Sequence, residues 1–425
     1  MNNRFTFLLC VVCFFTLTAT AQVKTDTLNL SLPETEKIFL EKNLSLLASK
    51  YGIDADKALI DQAKLWDNPT LITDQNVYAG GKWFAHGKDA NGNQEGQIFI
   101  QIQQLIKTAG KRGKLIDLAT SNAKLTELQF GDLLRNLKYQ LRSDYYTIAQ
   151  LVSDHRVYAR EQVALTKLVS GMEQQLQAGN ISQRDFIRVQ SLLLSLQQDM
   201  SATDKQLQDV QSELKTMLQM TQSSFIMTEI NDSVPPMPGL VVDSLINTAR
   251  IYNSAYLIQQ QQLTYQQQNL NYQKALRAPD LLLGPEYDHN SNYAPNYVGL
   301  SISLPLPLWN RNQGNIKSAQ NLVKQQETFV QQSETVLNNN VMNAYQKLLL
   351  TYSLTNAAPG DFYKRYDKLF NNVVDSYAAR QLDLLEFIDF FDAYKDTQTK
   401  LQQQLLNLRL AREEMNFETG TDVVK

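Results

Sequence analysis

The residues in this sequence that most suggest a chemical role are a cluster of carboxylates near residue 380. Asp375, Asp383, Glu386, Asp389 and Asp392 lie close together along the chain. Such a cluster attracts cations, and its members repel one another. The alternative is structural, with Asp383 and Glu386 capping a helix and the others facing water.

The sequence contains few residues of the types that enzymes use for catalysis. The three histidines, His86, His155 and His289, show neither the HxxxH nor the HExxH spacing of a zinc site. Both cysteines, Cys10 and Cys13, lie in an apolar stretch near the N-terminus. We therefore expect no catalytic residues, no metal site and no cofactor.

Composition narrows the class of partner. The 425 residues carry 40 Lys and Arg against 43 Asp and Glu, a net charge of -3. This balance provides no basic field for nucleic acid, so we expect no nucleic-acid partner. Beyond the N-terminus, no stretch approaches the roughly 18 apolar residues of a membrane-spanning helix.

The N-terminus has the features of a secretory signal. Arg4 is followed by an apolar run from Phe7 to Leu17 and by the small-residue cleavage pattern Ala19-Thr-Ala21. Residues 1–21 are therefore predicted to be removed, and the mature chain starts at Gln22. Neither cysteine sits at the cleavage point, so we expect no lipid anchor. A single membrane anchor is the alternative.

The mature sequence contains two similar halves. Segment 176–188 aligns with 377–389, placing Phe186 over Phe387 at an offset of 201, and the same offset places Gly113 over Gly314. The copies are predicted at 22–228 and 241–425. Three prolines exclude helix and strand from the linker at 229–240.

Long helical hairpins dominate each copy. Residues 113–177 contain no proline, and as one helix they would extend roughly 100 Å. Apolar residues then recur at spacings of three and four, which is typical of helix packing. We predict hairpins at 113–220 and 314–416.

The hairpin turns have local signals. Ser182 with Asp185, and Asp383 with Glu386, match the pattern of an N-cap followed by an acidic third residue. Gly179-Asn180 suits a left-handed reversal. Arg380-Gln381 replaces that pair in the second copy, so the two turns need not be equivalent.

Strand pairs are predicted at 70–105 and 280–306, where the periodicity changes from helical to two-fold. Ile98, Ile100 and Ile102 alternate with Phe99, Gln101 and Gln103. In the second copy, the apolar residues from Val298 to Leu304 alternate with glycine and serine. Four strands cannot close a barrel, whereas a barrel pooled from several chains has no open edges.

These features together resemble the TolC-like outer-membrane efflux family. The similarity covers almost the whole mature chain and includes Asn68-Pro69, the Ala109-Gly-Lys-Arg-Gly113 segment and the Gln-Ala-Gly-Asn-Ile-Ser182 turn. It implies a mainly α fold with a small β part, in which antiparallel helical hairpins form a periplasmic tunnel. It also implies a homotrimer whose chains each give four strands to a 12-stranded transmembrane barrel in outer-membrane lipid.

The resemblance carries a function with it. Such a chain would be the passive exit duct of a tripartite efflux system, docked to a periplasmic adaptor and an inner-membrane pump. Its cargo would be heavy-metal cations or small toxic compounds. The segments ending at Gly113 and Gly314 are most similar to the branch that serves heavy-metal cation pumps. Pro359-Gly360 departs from the pattern and is expected to kink or break the second long helix.

The resemblance also suggests roles for both turns. Three-fold symmetry would convert inward-facing members of Asp375, Asp383, Glu386 and Asp389 into carboxylate rings at the periplasmic entrance. The adaptor contacts would be the exposed turn residues, namely Gly179, Asn180, Ile181 and Ser182 in the first turn and Arg380, Gln381 and Leu382 in the second.

Two alternatives remain from the sequence. A duct for polypeptide secretion would have the same fold. A periplasmic adaptor or scaffold would also use helical hairpins, but it should carry Gly-rich β domains flanking a single hairpin. The two hairpins and paired alternating strands favour the duct.

Overall fold

The computed structural model describes residues 26–220, 224–230, 236–237, 239–356 and 361–424. The predicted signal at 1–21 and Pro359-Gly360 lie outside them. The helices are α1 (Leu32–Lys42), α2 (Leu44–Lys64), α3 (Lys111–Gln177), α4 (Gln183–Leu218), α5 (Val242–Tyr252), α6 (Ser254–Ala275), α7 (Gln313–Thr355), α8 (Phe362–Ala378) and α9 (Leu384–Thr419). The strands are β1 (Asp26–Leu30), β2 (Thr70–Gln75), β3 (Tyr78–Ala79), β4 (Lys82–Trp83), β5 (Gly87–Lys88), β6 (Gln94–Glu95), β7 (Ile98–Ile106), β8 (Ser224–Thr228), β9 (Leu281–Asn290) and β10 (Pro295–Ser303).

The predicted fold class, mainly α with a small β part, is confirmed. Within the described ranges, none of the helices combines the length and apolar character that crossing a bilayer requires. The predicted second long helix is divided, because α7 ends at Thr355 and α8 begins at Phe362.

The chain forms two compact units. The helical unit contains the residues up to Leu44, Lys138–Pro238 and Lys347–Glu414, and the sheet unit contains Ser45–Leu137, Gly239–Gln346 and Met415–Lys425. Each unit contains residues from both predicted copies. Helix α3 of the first copy and helices α7 and α9 of the second copy each contribute residues to both units.

The sheet unit is built on a four-stranded antiparallel sheet in the order β10-β9-β7-β2. Each predicted strand pair is a hairpin, and β7 pairs with β9 to join the two hairpins. The longer connection between β2 and β7 forms two small ladders, β3 with β4 and β5 with β6. Strands β2 and β10 are therefore the two edges of the sheet.

The Ala109-Gly-Lys-Arg-Gly113 segment fastens the base of this sheet. The nearly buried Lys111 ammonium lies 2.7 Å from an Asp280 carboxylate oxygen and donates to the Ala278 carbonyl oxygen at 2.6 Å. The Thr108 backbone N–H donates to the same carboxylate at 2.9 Å. Arg112 lies over the ring of Trp66, 4.1 Å from its centroid. The segment thus ties the end of β7 to the start of β9.

The helical unit contains a parallel strand pair, β1 with β8, that sequence reasoning missed. The side-chain amide of Gln211 on α4 extends the pair by bonding both backbone groups of Ile226, donating at 2.6 Å and accepting at 3.0 Å. The Tyr145 hydroxyl lies 3.0 Å from the Leu30 carbonyl oxygen and 2.8 Å from that of Glu229. These bonds secure both strands against α3 and α4.

Two asparagines at equivalent places show that the copies use the same joint. Asn43 follows α1 and donates to the Met217 carbonyl oxygen at 3.1 Å. Asn253 follows α5, and its side-chain amide donates to the Glu418 carbonyl oxygen at 2.9 Å. The side-chain oxygen of Asn253 caps α6 by accepting the backbone N–H of Tyr256. In each copy the joint between two helices is therefore bonded to the end of the last long helix.

Aromatic side chains form the core at the hairpin ends. Residues from α3, α4, α8 and α9 meet there, and the largest fully buried ones are Phe370, Phe387, Phe391 and Tyr394. The rings of Phe370 and Tyr394 stack with centroids 4.3 Å apart, and those of Tyr377 and Phe387 are 4.6 Å apart. Burial of these large side chains holds the two hairpins together.

Candidate functional site

The two hairpin turns have the same backbone geometry. Gly179 and Arg380 both adopt a left-handed conformation, with φ of 71° and 60°. The next residue in each turn donates its N–H to the carbonyl five positions back, Asn180 to Gln175 and Gln381 to Ser376, both at 2.8 Å. This is the Schellman arrangement in both copies, so replacement of Gly by Arg leaves the turn unchanged.

The structure brings the turns together. The Gln175 side-chain oxygen accepts from the Asn180 amide at 3.0 Å and also from the Arg380 guanidinium. Among the predicted adaptor-contact residues, Ile181 and Leu382 are half-buried against the aromatic core. The remaining members are exposed, namely Gly179, Asn180, Ser182, Arg380 and Gln381.

The predicted entrance carboxylates have distinct placements. Asp383 caps α9 by accepting the Glu386 backbone N–H at 2.9 Å, as the Ser182 hydroxyl caps α4 by accepting that of Asp185 at 3.1 Å. Asp375 on α8 and Glu386 and Asp389 on α9 are exposed. Within the described part of the chain, none of these four carboxylates has a cationic partner at ion-pair distance.

The four-stranded sheet has one apolar face. Thr73, Ile100, Tyr287 and Val298 form one cross-strand row on this face. Apolar side chains along the same face are well exposed, including Leu71, Ile102, Leu300 and Ile302, of which Leu300 is 64% exposed. An apolar face of this extent marks a surface that contacts something other than water.

The opposite face of the sheet is polar and acidic. Asp74 and Asp288 flank Phe99 in one cross-strand row, and Glu286 pairs with Gln101 in the next. The Gln101 amide donates to Glu286 at 3.1 Å, and the Gln97 amide donates to Asp288 at 2.9 Å. These three carboxylates are the only charged groups on β2, β7, β9 and β10, which contain no Lys or Arg.

Sequence reasoning missed these strand carboxylates. In β9, apolar residues at 281, 282 and 283 and the proline at 285 obscure the alternation. The strand register restores the alternation, because each β9 residue lies on the same face of the sheet as the β7 residue with which it pairs.

Comparison with known proteins identifies this fold. Residues 37–218 match the family model described as outer membrane efflux protein. The chain is similar to that family over this segment. The resemblance that the repeat and its motifs predict is confirmed over these residues.

Similar proteins cover most of the chain. It is 20% identical over 357 residues to the cobalt-zinc-cadmium resistance protein CzcC of Cupriavidus metallidurans, covering 82% of this chain and 79% of CzcC. Its structure is similar to that of CusC, with a TM-score of 0.71, 13% identity and coverage of 96% of both chains. It is also similar to the outer membrane channel MtrE of Neisseria gonorrhoeae, with a TM-score of 0.69 and 13% identity, covering 92% of this chain and 89% of MtrE.

A second group of acids, buried along α3, also escaped sequence reasoning. Leu141, Ile148, Leu151, Leu165 and Leu168 follow the apolar 3-4 spacing of the buried face. Asp144, Asp154 and Glu161 occupy positions in the same stripe and are at most 6% exposed. Within the described residues, at least one carboxylate oxygen of each lacks a hydrogen-bond partner, and both do in Glu161. These acidic positions within an otherwise apolar stripe are the sequence signal by which the buried acids could have been found.

Burial changes how these acids titrate. It raises the pKa of Asp144 and of Asp154 to about 7 and that of Glu161 to about 8, because the ionised form loses its hydration. The Gln150 amide donates to Asp154 and partly offsets this effect. The helical unit therefore takes up protons near neutral pH.

Replacing Asp154 by Asn should make the helical unit less sensitive to pH. In the folded chain Asp154 keeps its proton up to about pH 7, whereas the unfolded chain loses it near pH 4. The unfolded state is therefore favoured as pH rises through this window, and stability falls. A pKa difference of one corresponds to about 1.4 kcal/mol. Asp154→Asn should gain stability over the wild type between pH 5 and pH 8, by about 1 kcal/mol or more.

Thermal unfolding followed by circular dichroism in detergent at both pH values would measure this gain. The control is Asp209→Asn, which removes an exposed carboxylate from α4. An equal pH dependence in wild type and Asp154→Asn would contradict the assignment.

Proposed function

We propose that this chain is the outer-membrane exit duct of a tripartite efflux system for divalent metal cations. It would be a passive conduit, supplied by an inner-membrane pump through a periplasmic adaptor. The observation that carries the proposal is the four-stranded sheet, with one exposed apolar face, one acidic face and two open edges.

The open edges require other copies of the chain. Backbone groups of β2 and β10 cannot be satisfied by lipid, so a sheet in a bilayer must close on itself. Because the sheet has four antiparallel strands, β2 of one copy placed beside β10 of the next continues the antiparallel order. Two copies would give eight strands, whose interior is filled by side chains. Three copies give twelve strands and leave a passage, in keeping with the predicted homotrimer.

The proposed cargo follows from charge. With the apolar face toward lipid, Asp74, Glu286 and Asp288 of each copy line the passage without any Lys or Arg from the strands. A ring of carboxylates favours cations over anions. The relative CzcC is named for resistance to cobalt, zinc and cadmium. Together these observations favour metal cations over a secreted polypeptide.

The paired turns suit the periplasmic entrance. They present exposed polar residues, including Asn180, Arg380 and Gln381, on a rigid aromatic core. A docking adaptor can therefore contact both turns at once. The exposed carboxylates of Asp375, Glu386 and Asp389 flank the second turn, and three-fold symmetry would arrange inward-facing members as rings.

Neutralising the strand carboxylates should lower cation preference. Glu286→Gln with Asp288→Asn keeps the side-chain shapes and removes two charges from the passage of each copy. One unit charge at 4 Å is worth about 1 kcal/mol in water, so the cation-to-anion permeability ratio should fall roughly fivefold or more. The reversal potential of single channels in a planar bilayer under a KCl gradient measures this ratio.

The matched control exchanges the two acids, Glu286→Asp with Asp288→Glu, and should keep the ratio of the wild type. A neutralised variant with unchanged reversal potential would place these residues away from the passage. Absence of conductance from the wild type would refute the duct itself.

Asp383 offers a test that separates entrance charge from helix capping. Asp383→Ser installs the cap that Ser182 supplies in the first copy, so stability should be kept while one charge is lost. Asp383→Ala loses the cap as well, at a cost of about 1 kcal/mol. If Asp383 lines the entrance, both variants change single-channel conductance, but only Asp383→Ala lowers the melting temperature. Conductance equal to wild type in Asp383→Ser would leave Asp383 with the capping role alone.

A further inference from the structure

A cationic groove lies where the strands meet the helices in the sheet unit. It has a volume of about 490 Å³ and is lined by Lys274, Arg277, Ala278, Pro307 and Arg311. Lys274 is in the last turn of α6, Arg277 precedes β9, and Arg311 follows β10. Three of the five lining residues are therefore cations, and none is acidic.

The three cations have no ion-pair partner among the described residues. In the part of the chain that the structure describes, Lys274, Arg277 and Arg311 form no ion pair, and all three are exposed. Asp280, three residues after Arg277, already pairs with Lys111 at 2.7 Å, and Asp117 lines a separate pocket on the other side of Lys274. Three like charges around one groove favour an anionic ligand.

The chemistry of the groove suits a phosphodiester. Two guanidinium groups can each form paired hydrogen bonds to phosphate oxygens, and the Lys274 ammonium adds a point charge. A carboxylate ligand would match one guanidinium, whereas a phosphate group has enough acceptor oxygens for all three cations.

An exposed apolar segment runs beside the groove. Leu304, Leu306, Leu308 and Trp309 connect β10 to Arg311, and Leu306 and Trp309 are 69% and 86% exposed. Trp309 lies between Pro307 and Arg311, which both line the groove. Tryptophan next to basic side chains is typical of the level of lipid headgroups in a membrane. Free phosphate has no apolar part that could contact this segment, whereas a phospholipid does.

We propose that the groove binds the headgroup of an anionic phospholipid, with the acyl chains against the Leu304 to Trp309 segment. This inference rests on the proposed function, because it needs the sheet to lie in a bilayer. The lipid would anchor the junction between sheet and helices at the membrane surface, where each nearby cation strengthens binding to anionic lipid roughly fivefold.

Quenching of Trp309 fluorescence by brominated lipids tests the inference. Trp66→Phe with Trp83→Phe leaves Trp309 as the last of the three tryptophans. This parent is reconstituted in phosphatidylcholine bilayers that contain increasing fractions of brominated phosphatidylglycerol or brominated phosphatidylcholine. The two quenching curves give the preference for the anionic lipid beside Trp309.

The parent should prefer phosphatidylglycerol, and Arg277→Gln with Arg311→Gln should reduce this preference roughly 25-fold, at roughly fivefold for each cation. The control, Lys364→Gln with Lys368→Gln, removes two exposed cations from α8 and should keep the preference. Replacing chloride by inorganic phosphate in the buffer should also leave it unchanged.

Three results would overturn the inference. Equal quenching by both lipids in the parent removes the lipid site but leaves the duct intact. Loss of the preference in inorganic phosphate means that the groove takes free phosphate. Absence of quenching by either lipid means that the sheet is not in the bilayer, and the proposed function then fails as well.

Discussion

Unpaired backbone groups on β2 and β10 are the constraint on which the rest of this structure depends. Each edge strand presents a row of N–H and C=O groups, and every residue of β2 is exposed. An unpaired peptide group in an apolar medium costs several kcal/mol, so under the proposed function copies of the chain must pair with one another. The acidic face, which shares the same four strands, then becomes the lining of a passage.

The duplicated sequence provides each copy with the same local elements. Asn43 and Asn253 make the same joint in the two copies, and Gly179 and Arg380 make the same turn. Lys111 in the first copy pairs with Asp280 in the second and so links the two strand hairpins where β7 ends and β9 begins. The repeat supplies similar elements, and contacts between unlike positions assemble them.

Local signals explain why much of this was predictable. The caps at Ser182 and Asp383 and the alternation of Ile98, Ile100 and Ile102 are determined by neighbours in sequence. The pairing of β1 with β8 was not predictable in this way, because two five-residue strands far apart in sequence have no local signature. The acidic face of β9 depends on register, and the acids in the α3 stripe are exceptions to an apolar pattern. The register becomes visible only when the strands pair, whereas the α3 acids leave a signal in the sequence as acidic positions within an apolar stripe.

The most direct test of the account is cross-linking of β2 in one copy to β10 in the next. Cys10 and Cys13 both lie in the predicted signal, so introduced cysteines would be the only thiols of the mature chain. Thr73→Cys is combined in turn with Val298→Cys, Leu300→Cys and Ile302→Cys, which share the apolar face, and membranes are oxidised before non-reducing electrophoresis. The account predicts bands of two and three chains, and none larger, for at least one register. Single chains in every register, or a ladder that continues beyond three, would contradict it.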